Sequence, residues 1–123
     1  MDETSLCEFF GPFGPVSIRK MFGAHGVYAD GLCFACLIRG DIYMKGDALT
    51  APVFEAAGCA RFTYDGHSGT GVKMPYWALA ISAYGDPQEL KRWCAMALEA
   101  ARRQAAKKAV ATARKPKKAA ALP

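Results

Sequence analysis

Five cysteines and two histidines are the side chains of this 123-residue chain best suited to ligate a metal or act as a nucleophile or base. Two of the cysteines form a Cys-x-x-Cys, Cys33-Phe34-Ala35-Cys36. On a loop or at a helix start, that spacing would suit a metal or thiol–disulfide chemistry. Here it lies inside the apolar run Leu32 to Ile38, which reads as a strand. Side chains alternate across a strand, so residues three apart project from opposite faces and cannot readily chelate one ion. The expectation is no metal centre, with Cys7, Cys33, Cys36, Cys59 and Cys94 mostly buried, reduced thiols. Their odd number and scatter fit a cytoplasmic protein better than a disulfide framework.

His25 and His67 each fall in a glycine-containing stretch with no acidic partner or nucleophile close in sequence, so the triad logic of a catalytic base is not visible. The glycines at Gly23 and Gly26 lack the Lys-Ser/Thr ending of a phosphate loop, and a strand follows instead of a helix. No catalytic residue and no cofactor is assigned. An enzyme or small-ligand-binding protein using His25, a cysteine or the loop Asp65 to Gly71 stands as the alternative.

The sharper candidates are aromatic. Met21, Phe22, Tyr28, Tyr43, Tyr64, Met74, Tyr76 and Trp77 recur across several strand-like segments. Most such side chains fill one sheet face, while a few, above all Tyr76 and Trp77 beside Pro75, are candidate exposed anchors for a protein partner. With the glycine-rich segment and a neighbouring cation, the candidate partner-binding set is Met21, Phe22, Gly23, His25, Gly26, Tyr28, Tyr43, Lys45, Tyr76 and Trp77. Arg19, Lys20, Lys45 and Lys73 are either solvated strand charges or contacts for an acidic partner.

These residues need elements to hold them. Asp2 to Phe10 has the spacing of a short amphipathic helix, stopped by Gly11-Pro12. Pro15 to Phe22 reads as a strand, broken by Gly23-Ala24-His25-Gly26. Val27 to Ala29 and Leu32 to Ile38 form a hairpin about Asp30-Gly31, and Ile42 to Lys45 adds a further strand. A short helix capped by Thr50 follows, then Arg61 to Tyr64 and Val72 to Trp77, with Pro75 marking an edge or a bulge. Asp86, Pro87 and Glu89 open the last, long helix as a cap, a first-turn proline and the end of a capping box. Leu90, Trp93, Ala97, Leu98 and Ala101 give it one apolar face. The fold class is α+β: a single antiparallel sheet of five to six strands with flanking helices.

The net charge of +5 joins two unlike regions. Residues 1–101 hold eight Lys/Arg against eleven Asp/Glu, a net of −3, and residues 102–123 hold eight Lys/Arg and no acid, a net of +8. The expected division is a folded domain over 1–101 and a basic Ala/Lys-rich tail over 102–123, frayed helix or disordered, with Pro116 stopping any helix. Arg102, Arg103, Lys107, Lys108, Arg114, Lys115, Lys117 and Lys118 are candidates for weak nonspecific contact with nucleic acid, or serve only as a solubilising extension. No apolar run approaches the roughly 18 to 20 residues of a membrane helix, and Met1-Asp2-Glu3-Thr4 lacks a basic leader start.

Arg19-Lys20-Met21-Phe22-Gly23-Ala24-His25-Gly26-Val27-Tyr28 closely resembles the opening signature of the TfoX N-terminal domain family: Arg, any residue, Met-Phe-Gly-Gly, any residue, Gly, then Tyr. Ala24 stands where the family has its second glycine. Ile42-Tyr43-Met44-Lys45, Phe62-Thr63-Tyr64, Met74-Pro75-Tyr76-Trp77 and Asp86-Pro87 with Leu90 and Trp93 match in the same order. The resemblance implies a bacterial, non-enzymatic module with an architecture similar to type III secretion chaperones, acting by protein–protein recognition. The family's best-known members regulate natural competence together with a transcription factor of the cyclic-AMP receptor class. Those regulators carry a second, helical domain where this chain has its basic tail.

Overall fold

A computed structural model describes residues 2–21, 23–64 and 72–114. In chain order the elements are α1 (Glu3–Phe9), β1 (Ser17–Met21), β2 (Ala24–Ala29), β3 (Leu32–Ile38), β4 (Asp41–Lys45), α2 (Ala51–Ala56), β5 (Arg61–Tyr64), β6 (Val72–Ala78), a 3-10 turn (Ile81–Tyr84) and α3 (Pro87–Arg114). The six strands form one antiparallel sheet in the order β1-β2-β3-β4-β6-β5. The fold is α+β, as the sequence predicts.

Two tight turns set the meander. Asp30 and Gly31 have φ of 53° and 75°, and Arg39 and Gly40 have 52° and 85°, the paired positive angles that match the twist of a two-residue hairpin. The sequence reading expects a break from Gly23 to Gly26; the structure corrects it. Met21 already pairs with Ala24, so Ala24, His25 and Gly26 belong to β2. Gly23, at φ 78°, supplies the conformation that a side chain would oppose.

Helix ends show similar substitutions of one cap for another. Asp86 accepts from Gln88 N–H at 2.9 Å, but Glu89 does not close a capping box. Its carboxylate turns to Arg92 and to the indole N–H of Trp93, the latter at 3.0 Å. At α2, Thr50 makes no side-chain cap bond and instead accepts from Asp47 N–H at 2.8 Å. Asp47 does the capping work, with Oδ1 accepting from the N–H groups of Leu49 and Thr50 at 3.1 Å each.

All the helices contribute to one face of the sheet. Leu6 and Phe10 from α1 and its end, Phe54 from α2, and Leu90, Trp93, Cys94, Ala97, Leu98 and Ala101 from α3 join Val27, Phe34, Ala35, Leu37, Ile42, Met44 and Trp77 in one buried cluster. Trp77 is 2% exposed, which corrects its candidacy as a surface anchor. It pairs with Met44 on the helix-covered face and stacks on Phe54 at 5.1 Å, which in turn stacks on Trp93 at 5.1 Å. The strand pattern that turns Tyr76 outward necessarily turns its neighbour inward. Pro75 sits in an interior strand beside a register shift against β5, so of the two positions open to it the bulge is the one occupied.

Beyond Ala101, the last buried side chain among the described residues, α3 continues to Arg114. Arg102 reaches Asp30 at 2.6 Å, and Arg103 grips both oxygens of Asp47 at 2.6 and 3.1 Å. Arg103, helped by the Thr50 N–H, holds the Asp47 carboxyl down at about 2. An unfolded aspartate titrates near 3.9, so the stabilisation is full well above pH 4 and disappears as pH falls toward 2. Asp47 is 26% exposed at its side chain, and with solvent screening allowed for, the contribution is about 1 kcal/mol. Asp47→Asn is expected to lower the melting temperature by about 5 °C at pH 7, by roughly half that at pH 3, and hardly at all near pH 2. An equal deficit across that range would assign the cost to lost turn geometry rather than to charge.

Candidate functional site

The face of the sheet opposite the helices collects most of the polar and aromatic candidates. Strand register places Arg19 of β1, Gly26 of β2, Cys36 of β3, Tyr43 of β4 and Ala78 of β6 in one row. Tyr28 pairs with Cys33, and Lys45 with Tyr76, in the next. Alternation explains the tyrosines and the lysine, since each neighbours a buried residue on its own strand: Tyr28 beside Val27, Tyr43 and Lys45 flanking Met44, and Tyr76 beside Trp77. Tyr28, Tyr43, Lys45 and Tyr76 are half-buried and Arg19 is exposed.

Cations and rings are interleaved on this face. The Arg19 guanidinium lies 5.0 Å from the centre of the Tyr28 ring, and the Lys45 ammonium 5.2 Å from that of Tyr76. Tyr43 meets Phe62 of β5 edge-on at 5.1 Å. Among the described residues no carboxylate forms a salt bridge with Arg19 or Lys45. Partial burial pulls the Lys45 ammonium below its ordinary value, opposed by the nearby thiols. Burial pushes the Tyr76 phenol up, so it stays a donor at neutral pH.

The cysteine pair overturns the geometry expected from strand alternation. Val27 pairs with Ala35 but Tyr28 pairs with Cys33, so Phe34 is an extra residue in β3. This β-bulge lets Phe34 and Ala35 both face the core and returns Cys33 to the same side as Cys36. The Cys33 sulfur then lies 3.9 Å from the Tyr76 hydroxyl and 3.3 Å from the Ala35 carbonyl oxygen. The neighbouring Cys36 thiol, helped by Tyr76 and Lys45 and opposed by burial, lowers the pKa of Cys33, while the proximity of Cys33 raises that of Cys36. The unalternating run Leu32 to Ile38 was the one sequence signal of an irregular strand, and it carries no information on where the extra residue falls.

Other candidates are dispersed. His25 pairs with Leu37 and Lys20, two residues from buried Val27, and so lies on the helix side rather than with the tyrosines. Gly23 sits in the β1–β2 turn. Phe22, His67, Lys115, Lys117 and Lys118 lie outside the described residues, as do the side chains of Met21, Tyr64, Lys73 and Arg114. Lys107 and Lys108 are exposed on α3, whereas Arg102 and Arg103 are engaged with Asp30 and Asp47. A shallow cavity of about 180 Å³ at the β1–β2 edge is lined by Ser17, Arg19, Tyr28 and Asp30. It is below the roughly 300 Å³ at which small-molecule sites begin. No described group of three or more His, Cys, Asp or Glu side chains could hold a metal, and no described helix is long and apolar enough to cross a membrane.

A six-stranded antiparallel sheet, covered by helices on one face and bearing tyrosines and cations on the other, defines a small α+β domain. Residues 8–101 match the TfoX N-terminal domain, and the chain belongs to that family. The family is not one of known enzymes. No curated protein matches the chain.

Proposed function

We propose that this chain is a non-enzymatic regulatory or adaptor module that docks a protein partner on the helix-free face of its sheet. The observation that carries the reading is the convergence of Tyr28, Tyr43, Lys45 and Tyr76, with Arg19, on one face from four strands. Rigid aromatic rings with polar tips lose little conformational freedom on binding, and the two cations above them suit an acidic polypeptide. Family membership makes a transcription factor of the cyclic-AMP receptor class the partner to test, in a transcriptional or competence role. The folding unit is residues 1–101, and the basic segment 102–123 adds a salt-sensitive, sequence-independent contact with nucleic acid through cations such as Lys107 and Lys108. The site of action is the cytoplasm.

Calorimetric titration of the intact chain into the purified transcription factor from the same cell tests the docking face. The double variant Tyr43→Ala, Lys45→Glu is expected to bind about 100-fold more weakly, a loss of about 2.7 kcal/mol, with its melting temperature little changed. Unaltered affinity in that variant, or none in the intact chain, would sink the reading.

A further inference from the structure

The helix-free face holds a second feature beside the docking residues. The bulge at Phe34 gathers two thiols, a phenol and an ammonium at the end of the sheet where β3, β4 and β6 meet. We infer that Cys33 is a nucleophilic thiol that undergoes exchange with low-molecular-weight disulfides, making it a site of reversible S-thiolation. The inference rests on the two thiols with the Tyr76 and Lys45 side chains beside them, and stands whether or not the face docks a protein.

The groups around the sulfur come from every strand packed beside it. Cys36 stands on the same strand and Tyr76 reaches over from β6 with its hydroxyl 3.9 Å away. Lys45 of β4 adds a positive charge, and Lys108 of α3 lies close enough to Lys45 to repel it. On the other side Tyr28 of β2 pairs with Cys33, and Arg19 of β1 covers that ring. Neutral, the Cys33 thiol donates to the Ala35 carbonyl at 3.3 Å; ionised, its sulfur has the Tyr76 hydroxyl 3.9 Å away as a donor, with the Cys36 thiol and the Lys45 ammonium nearby. The surroundings therefore favour the thiolate and lower the Cys33 pKa to about 6. Other thiols differ: burial alone pushes Cys94 up to about 12 and raises Cys59. Cys33 is half-buried, so a small disulfide has access to it that a fully buried thiol would deny.

In the exchange the Cys33 thiolate attacks one sulfur of the disulfide. A new sulfur–sulfur bond forms, the reagent's own bond breaks, and the departing thiolate carries away the electron pair and takes a proton from water. Cys33 is oxidised to the disulfide level as half of the reagent is reduced to thiol.

The test uses the full chain, glutathione disulfide as probe, and a free cysteine peptide in the same tube as reference, with adducts located by peptide mass spectrometry. At pH 6 about half of Cys33 is ionised against a few tenths of a per cent of an ordinary thiol, while its lower basicity costs about tenfold in intrinsic reactivity. By pH 9 the ionisation advantage is gone and only that cost remains. Shielding by the sheet scales both rates alike, so the Cys33-to-peptide rate ratio is expected to fall by about 100-fold between pH 6 and pH 9. Lys45→Met and Tyr76→Phe should flatten that dependence and Lys45→Arg should preserve it. Cys36→Ser keeps a donor beside the sulfur while removing the thiol able to displace glutathione, so the Cys33 adduct is expected to accumulate in it. A ratio that stays level or rises with pH, or adducts at other cysteines and none at Cys33, would overturn the inference.

Discussion

Trp77→Ala is expected to cost about 4 kcal/mol of folding stability, near the top of the range for deleting a buried aromatic side chain. The indole is one end of a ring stack centred on Phe54. Phe54 lies parallel to it at 5.1 Å and 7°, Trp93 of α3 also stacks on Phe54, and the Arg61 guanidinium lies 4.6 Å from the indole's own centre. Its removal therefore opens a cavity between β6, α2 and α3, and takes away one of the two rings stacked on Phe54. Domains of this size have only about 5 to 15 kcal/mol in hand, so the melting temperature is expected to drop by 15 °C or more. Trp77→Phe keeps a ring against Phe54 and should lose less than half as much. Thermal unfolding followed by circular dichroism decides the matter, and a loss under 1.5 kcal/mol for the alanine variant would mean that the stack is not where the core's stability lies.

Gly46→Ala is expected to be the most damaging small substitution. A methyl group at Gly46 would stand 2.5 and 2.7 Å from two Trp77 ring carbons and 3.0 Å from a Phe54 ring carbon. Two effects compete. Alanine restricts the unfolded chain and on that account stabilises by about 0.5 kcal/mol. The overlap acts the other way at about 3 kcal/mol, because the ring it strikes is held by Phe54 and Arg61 and has nowhere to recede. Overpacking wins, with a net loss of about 2.5 kcal/mol read from denaturant unfolding. A neutral or stabilised Gly46→Ala would show that β4 and α2 separate freely at this corner. Combining it with Trp77→Ala is the discriminating control: with the indole gone the clash largely disappears, so the two costs should fall well short of adding.

Much of this architecture is legible in residue order. Asp30-Gly31 specifies its hairpin because few other dipeptides accept two positive φ angles, and Asp86-Pro87 opens α3 because the carboxylate and the missing N–H both suit a first turn. The inward face of α3 follows from the spacing of Leu90, Trp93, Ala97, Leu98 and Ala101. The division of the tyrosines from the core is less legible. Tyr76 and Trp77 are adjacent and chemically alike, and only pairing with Lys45 and Met44 tells which of them faces the helices.

What the sequence by itself determined was the family, the antiparallel α+β fold and the starts of most elements, because turn chemistry and periodicity act over a few neighbouring residues. Tertiary structure alone decided that Asp47 rather than Thr50 caps the α2 turn, since its second partner, Arg103, is remote in sequence. It also decided that Cys33 and Cys36 share a face. The bulge that unites them is set by Phe34 packing against Phe10 and Phe13 while β2 holds its register, a contest between core packing and strand pairing that no local pattern records.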